Sequence, residues 1–100
     1  MKIYCFDLDG TLCTNTNGEY KNATPFLDRI KKLNDLHKNG NKIIIDTARG
    51  STTGIDWYDL TENQLRSWGV NFDELIVGRK VHADFFIDDK GINDNIFFNE

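Results

Sequence analysis

A short apolar run that ends at an aspartate occurs three times in this chain. The runs are "KIYCFD" at 2–7, "KIIID" at 42–46 and "DFFID" at 84–88. Runs of this length and composition are typical of strands, and an unbroken apolar run is typical of a strand covered on both faces of a parallel sheet. A fourth run, "ELIVG" at 74–78, has the same character. The pattern predicts a mainly parallel sheet of about four strands.

A helical pattern separates the first two runs. Apolar residues recur at three- and four-residue spacing from Phe26 to Leu36, with charged residues between them. Thr24 is predicted to cap the N-terminus, with Pro25 as the first helical residue. Gly40 is suited to the left-handed conformation that ends a helix. We therefore expect an amphipathic helix here.

A second helix of two to four turns is predicted between 55 and 68, where Thr61 and Gln64 have the spacing of a capping box. Alternation of strands and helices indicates an α/β fold, here a Rossmann-like three-layer sandwich. Residues 13–23 are polar and rich in Asn, Gly and Thr, so they are predicted to form an exposed loop, called the flap below.

The overall composition suits one globular domain spanning 1–100. The chain has 39% hydrophobic and 28% charged residues, and a net charge of -4 argues against binding to nucleic acid or to an anionic membrane. No apolar stretch approaches the roughly 20 residues that a membrane span needs. Cys5 and Cys13 are too few for a disulfide framework, so two reduced thiols in a cytoplasmic protein are expected.

Acidic and hydroxyl side chains follow three of the predicted strands. Asp7 and Asp9 follow the first, Thr47 the second, and Asp88 and Asp89 the last. The carboxyl ends of parallel strands meet at one sheet edge, where ligands bind. Carboxylates about 4 Å apart repel each other by on the order of 4 kcal/mol per pair at an effective dielectric near 20, and a bound cation would remove that cost. Oxygen ligands favour Mg²⁺.

These residues resemble a known family. "DLDGTL" at 7–12 matches the first motif, DxDx[TV], of the haloacid dehalogenase superfamily of phosphatases, and "IIIDT" at 43–47 resembles the second. Lys80 stands where short members carry the third-motif lysine, and "FFIDDK" at 85–90 resembles the fourth motif. The four motifs occur in family order over nearly the whole chain.

The resemblance implies a role for each matched residue. Asp7 would attack phosphorus to form an aspartyl-phosphate, and Asp9 would protonate the leaving oxygen and then activate water. Lys80 would balance negative charge on the nucleophile and the phosphate. Mg²⁺ would be held by Asp7, by the carbonyl of Asp9 and by Asp88, with Asp89 assisting through water or orienting Lys80.

The resemblance also implies a set of substrate-binding positions, and some alternatives stay open. Thr47 would hold phosphate oxygens, or would be only a turn hydroxyl. Arg49 would contact substrate or form a structural ion pair. Lys90 is the rival of Lys80 for the motif lysine. The predicted substrate-binding positions are Leu8, Gly10, Thr47, Ala48 and Arg49.

Many members of this family carry a cap domain, and this chain has no room for one. Residues 12–24 and 50–75 are both too short, so the chain resembles the capless members. The site is then expected to be open, with the flap or a partner subunit as its cover.

The resulting hypothesis is a Mg²⁺-dependent phosphomonoesterase acting on a phosphosugar or another small phosphorylated metabolite. Short capless relatives found with sugar-phosphate and capsule-biosynthesis genes suggest that substrate. One alternative is a phosphatase acting on nucleic-acid ends or phosphoproteins, and another is a catalytically silent binding module. A homo-oligomer is possible, and no membrane partner is expected.

Overall fold

The computed structural model of the protein describes residues 1–99. Within them, three parallel strands form one sheet in the order β1, β2, β3, and three α-helices connect and follow the strands. The strands are β1 (Ile3–Phe6), β2 (Lys42–Thr47) and β3 (Glu74–Val77). The helices are α1 (Leu27–Lys38), α2 (Tyr58–Ser67) and α3 (Asp94–Phe98), and a short 3₁₀ helix spans Tyr20–Asn22.

Strand register brings the carboxyl ends together. Phe6 of β1 lies opposite Ile45 of β2, and Thr47 of β2 lies opposite Val77 of β3. The segments that leave these three strands therefore begin at the same edge of the sheet. This is the edge at which parallel α/β sheets bind ligands.

The hydrophobic core lies on one face of the sheet. Ile43 and Ile45 are fully buried, and the residue between them, Ile44, is only half-buried. In β1, Phe6 is buried while Ile3 and Cys5 are exposed. Burial thus alternates along the strands as expected for one covered face. The core draws on all the strands and long helices through residues that include Ile30, Leu33, Leu65, Leu75 and Phe97.

The α/β class and the three strands at 2–7, 42–46 and 74–78 are confirmed. The predicted strand at 84–88 is not formed, so the expected fourth strand and the third layer are not confirmed. Phe85 and Ile87 are 84% and 96% exposed. Asp88 accepts hydrogen bonds from the backbone amides of Lys90 and Gly91, so the chain turns locally instead of extending a ladder.

Both predicted helices form and Gly40 takes the left-handed conformation predicted after α1, but the two predicted N-terminal caps were wrong. Thr24 does not cap α1, because its amide donates to the Thr14 hydroxyl and its carbonyl accepts from the Thr14 amide, which closes the base of the flap. Phe26 flanks α1 without a side-chain cap. Thr61 and Gln64 lie inside α2, where both side chains accept hydrogen bonds from Arg49. Their spacing places them one turn apart on one helix face.

Helices among residues 1–99 are all too short or too polar to cross a bilayer.

Candidate active site

Asp7 lies directly after β1, at the edge where the strands end. Its Oδ1 accepts a hydrogen bond from Lys80 Nζ at 3.2 Å, and its Oδ2 accepts one from the Thr11 hydroxyl at 3.3 Å. Lys80 comes three residues after the end of β3. The Asp7 side chain is 42% exposed, so its carboxylate is oriented by two partners and still reachable from solvent. An oriented, reachable carboxylate is what a nucleophile requires.

A tight turn carries the chain from Asp7 to the flap. The buried Leu8 directs its carbonyl to the amides of Thr11 and Leu12, at 3.0 and 2.8 Å. Gly10 sits at φ 85°, where a side chain would be strained, and its amide donates to the Cys13 carbonyl at 2.8 Å. The turn brings the Thr11 hydroxyl back to Asp7.

Asp9 has a different partner, the side chain of Arg49. Arg49 Nε donates to Asp9 Oδ2 at 2.9 Å, and Arg49 Nη2 donates to Asp9 Oδ1 at 2.8 Å. This two-point geometry is the strong form of an arginine–carboxylate pair. The Arg49 side chain is fully buried and that of Asp9 is 18% exposed. The Asp9 carboxylate is therefore fixed from within the protein.

The remaining donors of Arg49 are also used. Its Nη1 donates to the Thr61 hydroxyl at 3.1 Å and to Gln64 Oε1 at 2.7 Å, and its Nη2 lies 3.9 Å from the Cys13 sulfur. The Tyr20 ring lies over the guanidinium, with 4.5 Å between the ring centroid and Cζ. Each of the five N–H groups of Arg49 thus faces an acceptor, as a buried guanidinium needs.

Gly50, the residue after Arg49, lets the chain fold back tightly on itself. A Cβ atom on Gly50 would lie 2.1 Å from the Ile55 carbonyl oxygen, and the residue has φ 83°. Only glycine fits both demands. The loop after Arg49 therefore folds back so that the Ile55 backbone lies directly against Gly50.

Cys13 lies beside this pair as a neutral thiol. Burial, with the nearby Asp9 charge as the next cause, raises the pKa of Cys13 to about 12. Its sulfur is 3.6 Å from Asp9 Oδ1. Thiolate chemistry is thereby suppressed at neutral pH, and Cys13 serves to fill space and contact Asp9.

Asp7 and Asp88 line one open cleft of about 750 Å³, between β1 and the segment that follows β3. Thr11, Lys80 and Phe86 also line it. The backbone amides of Gly91 and Lys90 hold the pKa of Asp88 below its usual value, so its carboxylate is ionised at neutral pH. The cleft therefore contains two acidic side chains and the lysine that contacts one of them.

The predicted metal ligands are brought together only in part. Among residues 1–99, no three His, Cys, Asp or Glu side chains are grouped closely enough to hold an ion. Asp7 and Asp88 share the cleft, Asp89 is exposed on the same segment, and Asp9 is engaged by Arg49. The available donors are all oxygens, which suit Mg²⁺ better than zinc or copper.

The five predicted substrate-binding residues are not among the described residues that line this cleft. Thr47 is 1% exposed and its hydroxyl accepts from the Arg49 amide at 3.3 Å. Leu8 is fully buried, and the Ala48 carbonyl accepts from the Ser51 amide. For Arg49, the structure contains the ion-pair alternative. Of the two candidates for the motif lysine, Lys80 is the one whose ammonium group contacts Asp7.

Comparison with known proteins identifies a relative of this chain but no activity. No family model matches the chain, and no curated protein does. A crystal structure of a target protein from Vibrio cholerae is similar over 100% of this chain and 89% of that one, at 33% identity and a TM-score of 0.86. This chain belongs to the same family as that Vibrio cholerae protein. The name given to this relative states no activity, so the family likeness supports the fold alone.

The sequence did not reveal which residues surround Arg49. Thr61 and Gln64 share a spacing of three that we interpreted as a helix cap, although that spacing also puts two acceptors on one face of α2. Tyr20 lies in the stretch that was predicted only to be an exposed loop. A polar pair on the buried side of a helix was the available signal for a buried cation.

Proposed function

We propose that this protein is a Mg²⁺-dependent phosphomonoesterase that works through an aspartyl-phosphate on Asp7. The observation that carries the proposal is the environment of Asp7 at the strand ends. Its carboxylate is held by Lys80 and Thr11, is 42% exposed, and faces an open cleft. No packing role accounts for a half-exposed carboxylate with this orientation.

In the first step an Asp7 carboxylate oxygen attacks phosphorus, and the bond from phosphorus to the leaving oxygen breaks. Asp9 enters the cycle protonated, gives its proton to the leaving oxygen, and so becomes the carboxylate that pairs with Arg49. Lys80 lowers the cost of bringing the Asp7 carboxylate to a phosphate dianion, since two anions in a partly desolvated cleft repel each other. The products are the alcohol and a phosphorylated Asp7.

In the second step water attacks phosphorus, and its proton passes to Asp9. The bond between phosphorus and the Asp7 oxygen breaks, which restores Asp7 and releases inorganic phosphate. Arg49 donates one hydrogen bond to each Asp9 oxygen, so it fixes the direction in which Asp9 presents its carboxyl group.

Asp7, Asp88 and the Asp9 carbonyl are the residues that would hold Mg²⁺, with Asp89 next to them in sequence. The fit is supported by the shared cleft of Asp7 and Asp88 and by the ionised state of Asp88. When bound, Mg²⁺ would offset the negative charge of the carboxylates and the phosphate.

The proposed substrate is a phosphosugar or a similarly small phosphorylated metabolite. This follows from the resemblance to capless sugar-phosphate phosphatases, and an open cleft of about 750 Å³ is large enough for such a molecule. A net charge of -4 weighs against nucleic-acid ends as substrate.

Hydrolysis of an aryl phosphate, measured with and without added Mg²⁺, tests the proposal. We expect Mg²⁺-dependent turnover by the wild type and a loss of at least about 10⁴-fold in kcat for Asp7→Asn, because a nucleophile has no substitute. Asp35→Asn, a change at an exposed aspartate of α1, is the matched control and should retain full activity.

Equal rates for the wild type and Asp7→Asn would leave the silent binding module as the better account. With activity established, a panel of phosphosugars, nucleotides and 3′-phosphorylated oligonucleotides identifies the substrate class. The highest kcat/KM should belong to a phosphosugar.

A further inference from the structure

One side chain of α2 connects the flap to the Asp9 partner. Gln64 Oε1 accepts from Arg49 Nη1 at 2.7 Å, and Gln64 Nε2 donates to the Tyr20 carbonyl at 2.6 Å. Gln64 is half-buried and its carboxamide makes one contact at each end. It therefore links the 3₁₀ helix of the flap directly to the guanidinium that holds Asp9.

The flap is joined to this network at both of its ends. Near its start, the Cys13 sulfur contacts Asp9 Oδ1 and Arg49 Nη2. Near its far end, the Tyr20 ring lies on the Arg49 guanidinium and meets the Trp57 ring edge-on, with centroids 5.0 Å apart. A displacement of the flap would have to break contacts that orient Arg49.

We propose that Gln64 is a positioning residue that couples the flap to Asp9 through Arg49. The flap is then held against Arg49 and is not a free lid, and the orientation of Asp9 depends on the flap being in place. Coupling of this kind is reciprocal, so a change at Asp9 must loosen the flap and a change in the flap latch must disturb Asp9. The effect of this coupling on catalysis rests on the proposed function. The coupling between the flap and Asp9 is independent of that function.

Amide hydrogen exchange of the flap tests the coupling without any activity assay. In Gln64→Leu, the protected amides of Asn22 and Ala23 should exchange about tenfold faster relative to amides of β2, because the variant loses two hydrogen bonds at the latch. Asn63→Leu, a change at the exposed neighbour of Gln64 on α2, should leave these rates unchanged.

Reciprocity is tested with the two aspartates. Asp9→Asn should also accelerate exchange at Asn22 and Ala23 relative to β2. Asp7→Asn should not, because Asp7 contacts Lys80 and Thr11 and lies outside the latch. Equal acceleration of flap and β2 amides, or equal effects of the two variants, would overturn the coupling.

Steady-state kinetics of Gln64→Leu supplies the second readout. We expect kcat to fall about tenfold while KM changes less than about twofold, since Gln64 acts on Asp9 rather than on the phosphate. A rise in KM at constant kcat would contradict a positioning role. If the wild type hydrolyses no phosphate ester and the exchange results still hold, the proposed function fails and the coupling stands.

Discussion

Asp7 and Asp9 are the same residue type two positions apart, and their surroundings are opposite. Asp7 contacts a lysine that is 23% exposed and a threonine hydroxyl, and it faces an open cleft. Asp9 is gripped at both oxygens by an arginine with no exposed side-chain surface. The Gly10 turn directs the two carboxylates to different partners.

The contrast shows how one turn can place two identical side chains in environments that suit different roles. A half-exposed carboxylate keeps the freedom to react with a ligand in the cleft. A carboxylate bound to a buried guanidinium has become part of the fold, because its loss would leave an uncompensated charge inside the protein. We infer that Asp7 matters for chemistry alone, whereas Asp9 matters for chemistry and for stability.

The largest effect that separates the two aspartates is on folding. Asp9→Asn should lower the free energy of unfolding by about 3 kcal/mol, because it leaves the buried Arg49 charge without its anion. Asp7→Asn should change it by less than about 1 kcal/mol, since its lysine partner is partly exposed. Urea unfolding of both variants measures the difference, and equal losses would break the comparison.

Exchanging the cations sharpens the same comparison. Arg49→Lys should cost about 2 kcal/mol of stability, because an ammonium cannot reach Asp9, Thr61 and Gln64 together in the way a guanidinium does. Lys80→Arg should stay within about 0.5 kcal/mol, because Lys80 makes a single ion-pair contact with Asp7. Thermal unfolding of the pair provides the test. An Arg49→Lys variant as stable as the wild type would show that the two hydrogen bonds from Arg49 to Asp9 do not contribute to stability.

A smaller effect on activity is expected at Thr11, which orients Asp7. Thr11→Val keeps the shape and removes the hydroxyl that donates to Asp7, so kcat should fall about tenfold with stability nearly unchanged. Thr24→Val is the matched control, because only backbone atoms of Thr24 take part in the contacts described above. Unchanged kcat in Thr11→Val would remove Thr11 from the site.

The smallest effect concerns Asp73, an exposed carboxylate outside the site that serves as a reference. The Ile43 amide, with His37 as a further partner, holds the pKa of Asp73 below its ordinary 3.8. A carboxyl group with a lowered folded-state pKa contributes stability above pH 3.8 and loses it as the pH falls further. Unfolding free energies between about pH 3 and 6 should therefore depend less on pH in Asp73→Asn. An unchanged slope would contradict this.

Local sequence patterns were sufficient to predict β1, β2, β3, α1 and α2. "KIIID" became β2 with buried Ile43 and Ile45, and Gly40 ended α1 in the left-handed conformation at φ 90°. The run at 84–88 has the same apolar character and is not a strand. A strand also needs a partner and a covered face, and neither is encoded within five residues.

The site was predictable in part for the same reason. Asp7 was located by the end of the first predicted strand and Lys80 by its place in the family motif, and the structure brings them into contact. The Arg49 network depends on α2 and the flap meeting at one guanidinium. Such a meeting is a tertiary event, so the spacing of Thr61 and Gln64 pointed equally well to a helix cap.

Trapping of a phosphorylated enzyme tests the central claim most directly. Wild-type protein is mixed with Mg²⁺ and a phosphate monoester, quenched in acid during turnover, digested, and analysed by mass spectrometry. We predict a peptide containing Asp7 that has gained the mass of one phosphoryl group, is lost on hydroxylamine treatment, and is absent from Asp7→Asn. Turnover with no such adduct, or an adduct that persists in Asp7→Asn, would contradict the account.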